Sequence, residues 1–219
     1  MSVFNQIIQF GDLCFDIGAN NGNKAQKMIN LGAKVICLEP QNSCQGNLNS
    51  KFKDSDSVII IQKAVGAEVG IGKIFVSAAH TLSTMSENFI AETQKERFAG
   101  VNWNNTEPVE ITTLDILINT YGLPKYCKID VEGYEKEVLK GLSQPIPYLS
   151  VEFTPELKAN TFECMDILKN LGSYKYNYSE GETHEFSFNE WIGYDEMKEF
   201  LSKNNDFKTS FGDLYAKLD

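Results

Sequence analysis

Short apolar runs, each closed by glycine, proline or an acid, punctuate this chain, and between them apolar residues recur three and four positions apart. The runs predict strands over 13–17, 34–38, 58–61, 126–130 and 148–153, with two more near 174–178 and 213–216. The wider spacing predicts helices. A short lead-in carries Val3, Phe4, Ile7 and Ile8. A second helix from about Asn23 carries Ala25, Met28 and Ile29, with Gly32 as a left-handed cap. A third presents Cys44, Leu48 and Phe52, and another spans 113–121. A helix from Gly133 buries Tyr134, Val138, Leu139 and Leu142. Two more carry Phe162, Met165, Leu168 and Leu171, then Met197, Phe200 and Leu201.

Strands alternating with helices predict an α/β fold: a doubly wound, mostly parallel seven-stranded sheet with helices on both faces and a final hairpin. No repeat or low-complexity linker divides 1–219, so one domain is expected. Regularity breaks between Lys63 and Pro108, where the one visible signal is a hairpin around 70–76. A long irregular stretch in a compact domain is usually functional. Residues 67–108 are therefore expected to form a lid or acceptor-binding insertion.

Charge narrows the partners. The formal net charge is -10, and the segment 180–219 alone holds ten acidic and four basic residues. Such a surface opposes binding to nucleic acid or anionic lipid. No apolar run approaches a membrane span and no secretory leader is visible. Five cysteines without Cys-x-x-Cys spacing favour reduced thiols and a cytoplasmic setting.

The chemistry concentrates where strands end. Strand 13–17 runs into Asp16, then Gly18-Ala19-Asn20-Asn21-Gly22, and strand 34–38 ends on Glu39. A carboxylate there accepts hydrogen bonds from ribose hydroxyls, with Gln41 and Asn42 beside it. Position 20 is asparagine, so the Gly-x-Gly-x-x-Gly of dinucleotide sites is absent. Asp16 instead suits the ammonium and sulfonium of S-adenosylmethionine. The stretch Lys128-Ile129-Asp130-Val131-Glu132-Gly133 ends a strand that adjoins the first, so Asp130 is expected to face the reactive end of that ligand. Glu152 extends the acidic rim. Candidates for a general base are Glu132, Glu152 and His80, with Asp130 positioning the cofactor. The two histidines lack metal-ligand spacing, and a cation on Asp130 and Glu152 is the weaker reading, so no metal is expected.

In these stretches the chain resembles the FkbM family of S-adenosylmethionine-dependent methyltransferases. The matching residues are Phe15–Asn20, Leu38-Glu39-Pro40, Ala64-Val65-Gly66, Thr113-Leu114-Asp115, the Lys128–Gly133 block and Val151-Glu152-Phe153. The resemblance implies a class I, Rossmann-like methyltransferase fold, Ala64 and Val65 beside the adenine, and O-methylation of a hydroxyl on a sugar, glycan or other small product. Neither Asp130-Val131-Glu132-Gly133 nor Glu152-Phe153-Thr154-Pro155 has the Asn/Asp-Pro-Pro-aromatic clamp that favours amino methylation. Two rivals are a nicotinamide-dependent oxidoreductase on the same architecture and a cofactor-binding module without catalysis.

Overall fold

A computed structural model describes residues 2–203 and 211–219. Seven strands form the main sheet: β1 (Leu13–Ile17), β2 (Lys34–Leu38), β3 (Val58–Ile61), β7 (Tyr126–Ile129), β8 (Tyr148–Phe153), β9 (Tyr174–Glu180) and β10 (Gly212–Leu218). Their order is β3-β2-β1-β7-β8-β10-β9, parallel except for β10, which is antiparallel to both neighbours. The order reverses direction between β1 and β7. Such switch points open a crevice at the carboxyl ends of the strands.

Side-chain alternation divides the core into two layers. Cys14, Val35, Cys37 and Tyr126 point to one face, under α1 (Val3–Ile7), α2 (Asn23–Asn30) and α3 (Asn42–Phe52). Phe15, Ile17, Ile36, Leu38 and Ile129 point to the other, under α5 (Leu114–Tyr121), α6 (Glu135–Lys140), α7 (Lys158–Leu171) and α8 (Tyr194–Lys203). The period of two puts successive residues in opposite layers. All five cysteines are free and buried. No helix among the described residues is long and apolar enough to cross a membrane.

The stretch expected to be irregular is ordered. β4 (Ala64–Val65), β5 (Gly70–Val76) and β6 (Asn105–Thr112) form a second sheet in the order β4-β6-β5, and α4 (Glu87–Thr93) lies between β5 and β6 in sequence. Residues 70–76 are therefore not a hairpin. They are one strand whose antiparallel partner, running from Val76↔Asn105 to Gly70↔Ile111, lies about thirty residues on. The helix expected from Gly133 begins two residues later, because Glu132 (φ 54°) and Gly133 (φ 86°) are both left-handed and interrupt the path from β7.

Candidate active site

The turn after β1 is built by close approach. Gly18 (φ 82°) leaves no room for a side chain: a Cβ there would stand 1.9 Å from the carbonyl oxygen of Asp130. Its amide and that of Ala19 both donate to Leu38 O at 2.9 Å, tying the turn to β2. Gly22 (φ 71°) caps α2, and a Cβ on it would enter the Phe52 ring at 2.4 Å. Glycine is the residue that tolerates both the angle and the contact.

Glu39 locks that turn. It is 2% exposed; Oε2 accepts from the Asn20 amide at 2.8 Å and Oε1 from the Gln41 amide at 2.9 Å. Burial pushes its carboxyl above the usual range, although the two amides favour the charged form. Each oxygen retains a lone pair for a ribose hydroxyl.

Beneath the turn runs a buried polar row across the sheet. Asp16 on β1 is in register with Lys128 on β7, and Lys128 with Ser150 on β8. The Tyr126 hydroxyl lies 2.7 Å from Ser150 Oγ. Asp16 is fully buried, and neither carboxylate oxygen makes a hydrogen bond of good geometry. Burial raises its carboxyl; Lys128 opposes that and the Ala25 amide adds a smaller pull. Lys128 Nζ pairs with Asp130 Oδ2 at 2.5 Å. Burial works against its charge, but Asp130, Asp16 and Asp213 together hold it above the ordinary lysine range. Asp213, in register with Glu152, is pushed up to about 6 by burial.

Carboxylates gather at the mouth of β7 and β8. Oxygens of Asp130, Glu132 and Glu152 lie within 4.8 Å of one another, a spacing that a divalent cation could bridge. Burial raises Glu132 and Glu152 well above the carboxylate range; the charge of Glu132 adds most to the further rise of Glu152, and Asp130 adds to both. Glu152 Oε2 is sealed from solvent without a hydrogen-bond partner. Glu135, the first residue of α6, is only 2% exposed. It accepts from the amides of Val131 (3.2 Å) and Gly133 (3.0 Å) and from Asn160 Nδ2 (2.9 Å), bracing the left-handed turn.

The second sheet and α4 close over these groups. Thr84 Oγ1 donates to Glu132 O at 2.6 Å. Phe89 of α4 packs where a Cβ on Gly133 would fall, 2.8 Å away. Arg97 pairs with Glu156 at 2.9 Å, both largely buried, beyond β8. His80 sits on the glycine turn: its carbonyl accepts from Asn20 Nδ2 and Gln41 Nε2, and its Nε2 lies 3.3 Å from Asn21 Nδ2.

One cavity of about 680 Å³ joins these pieces. Of the residues singled out in the sequence, Gly18, Asn20, Glu39, Gln41, Ala64, Val65, His80, Asp130, Glu132 and Glu152 line it. Asp16 lies one position behind the wall, beside Lys128, and Gly22 lies under Phe52. Sequence reasoning missed Asp213, Thr84 and the ionic role of Lys128. An acid within the otherwise apolar 212–216 run and a lysine within a buried strand were the available signals. The wall fits S-adenosylmethionine: it has a glycine cradle, a ribose-type carboxylate and unpaired buried acid toward cationic groups.

Comparisons with known proteins bear on the family and the fold. Residues 16–208 match the family described as the methyltransferase FkbM domain. No protein with a curated description matches the sequence. The fold is similar to precorrin-6y C5,15-methyltransferase from Geobacter metallireducens, with TM-score 0.52 and 10% identity, over 98% of this chain and 86% of that one. An rRNA methylase from Streptococcus thermophilus gives TM-score 0.44 and 11% identity over 99% and 93% of the two chains.

Proposed function

Since this chain belongs to the FkbM methyltransferase family and uses S-adenosylmethionine as its cofactor, we propose that it methylates a hydroxyl oxygen on a sugar, glycan or other small natural product. The observation that carries this reading is the carboxylate group of Asp130, Glu132 and Glu152 in the cavity wall. An alcohol attacking a methyl must lose its proton, and a carboxylate in the cavity wall, when ionised, can accept it. Bound in the cavity, the cofactor supplies a methyl group on a sulfonium. The chain's residues then have three tasks. Glu39 and Gln41 hold the nucleoside end, with Ala64 and Val65 beside the base; Asp130 orients the amino-acid end; Glu152 or Glu132 takes the acceptor proton as the O–CH3 bond forms and the S–CH3 bond breaks. His80, seated on Asn20, Asn21 and Gln41, is better placed for the nucleoside than for the proton.

The second sheet and α4 serve as the acceptor lid, a role supported by Thr84 and Phe89 packing on the Glu132–Gly133 turn. The net charge of -10 weighs against a polyanionic acceptor such as RNA. Radiolabelled methyl transfer to a panel of hydroxylated acceptors is the test. Glu152→Gln is expected to lower kcat by about a hundredfold, within the usual range for losing a general base, with cofactor Kd unchanged. A product methylated on nitrogen or carbon overturns the reading. Tight cofactor binding with no acceptor in the panel methylated favours a binding module instead.

A further inference from the structure

Lys128 has no task in the chemistry above, yet it is 3% exposed and forms part of the cavity wall. An ammonium carries three donors. Among the described residues Asp130 Oδ2 is its one hydrogen-bond partner. A buried ammonium with donors unmet is costly, so the position favours an arriving acceptor. Asp130 itself is 30% exposed on its side chain, leaving carboxylate surface open to the cavity. A cation and an anion thus stand side by side in the wall, at the strand end against which Gly18 is packed. An α-amino acid carries the same two charges in the opposite sense on one carbon. No other chemical group of a methyl donor does so; its nucleoside has neither charge.

We propose that Lys128 and Asp130 read the methionyl tail of the cofactor as a zwitterion, Lys128 binding the α-carboxylate and Asp130 the α-ammonium. The assignment rests on the cofactor occupying this cavity. Asp16 and Asp213, behind the pair on β1 and β10, keep Lys128 charged while the tail is absent. Lys128 is then a cofactor-binding residue, and the carboxylate contact fixes the tail so that the sulfonium methyl faces Glu132 and Glu152.

Ligands that differ only in the tail separate this from a structural role. Binding of S-adenosylhomocysteine, its decarboxylated analogue and 5′-methylthioadenosine would be measured by calorimetry on the intact chain. The unaltered protein should prefer S-adenosylhomocysteine to the decarboxylated analogue by about tenfold or more, as a charge-assisted hydrogen bond provides. In Lys128→Met that ratio should fall close to one, while methylthioadenosine binding stays within about threefold. Lys128→Arg should keep the preference. A decarboxylated analogue that binds the unaltered protein as tightly as S-adenosylhomocysteine overturns the proposal without any variant. So does a Lys128→Met protein that loses methylthioadenosine as strongly as S-adenosylhomocysteine. Failure of the unaltered protein to bind any of the three would instead remove the cavity as the cofactor site.

Discussion

Single side chains in this protein are constrained by contact before they are constrained by chemistry. Gly18 is the sharpest case. Gly18→Ala combines a left-handed backbone with a Cβ pressed to 1.9 Å from Asp130 O, neither of which can relax without separating β1 from β7. A cost of about 2–4 kcal/mol is expected, read as a lower urea midpoint together with loss of cofactor binding. Glu39→Ala acts differently. It frees the Asn20 and Gln41 amides and removes the ribose contact at once. A folded protein with cofactor Kd raised by about a hundredfold is the expected outcome, from two charge-assisted bonds at the lower end of their range. Asp16→Ala should also lose cofactor binding, because Asp16 stands in register with Lys128 beneath the turn and its removal breaks the buried row that positions that lysine. Retained affinity in both variants would count against the site as drawn.

Elements with one buried face were readable; elements fixed by distant partners were not. Strands at 13–17, 34–38, 58–61 and 148–153 fall where the sequence places them, because each is a short apolar run stopped by glycine, proline or a polar turn. β5 escaped because most of its side chains are exposed or half-buried, so no alternation survives, and its partner β6 lies about thirty residues on. α4 carried a legible signal: Ser86 caps it by accepting from the Phe89 amide at 3.1 Å, with Glu87 in the first turn. The site followed the same division. Asp130 and Glu152 stand out as acids at strand ends, whereas Asp213 joins them only through the register of β10 on β8, which no single strand encodes. Thr84 is the pin between the second sheet and the site. Thr84→Val keeps the shape but loses the bonds to Glu132 O and from the Ser86 amide. The variant should lose about 1–2 kcal/mol in urea unfolding and raise acceptor KM severalfold, leaving cofactor Kd alone.

Across the whole molecule, burying this many carboxylates makes stability depend on pH in an unusual direction. Burial pushes Glu135 up to about 7 and Asp213 up to about 6. The folded state therefore holds protons that the unfolded chain releases near pH 4, so these groups stabilise most below the unfolded carboxylate range and lose that contribution as pH rises through 6 to 7. His184 has the opposite sign. Burial, then Lys24 and Lys27, lower its imidazole to about 4, so its share is present above the ordinary histidine value and lost as pH falls toward 4. Glu135 dominates the alkaline side, and Glu135→Gln isolates it while an oxygen still accepts from Val131 and Gly133. Between pH 5 and pH 8 the unaltered protein should lose up to about 3 kcal/mol more than the variant, measured as the difference in urea unfolding at the two pH values. Parallel curves would mean that the three donors around Glu135 keep it ionised throughout.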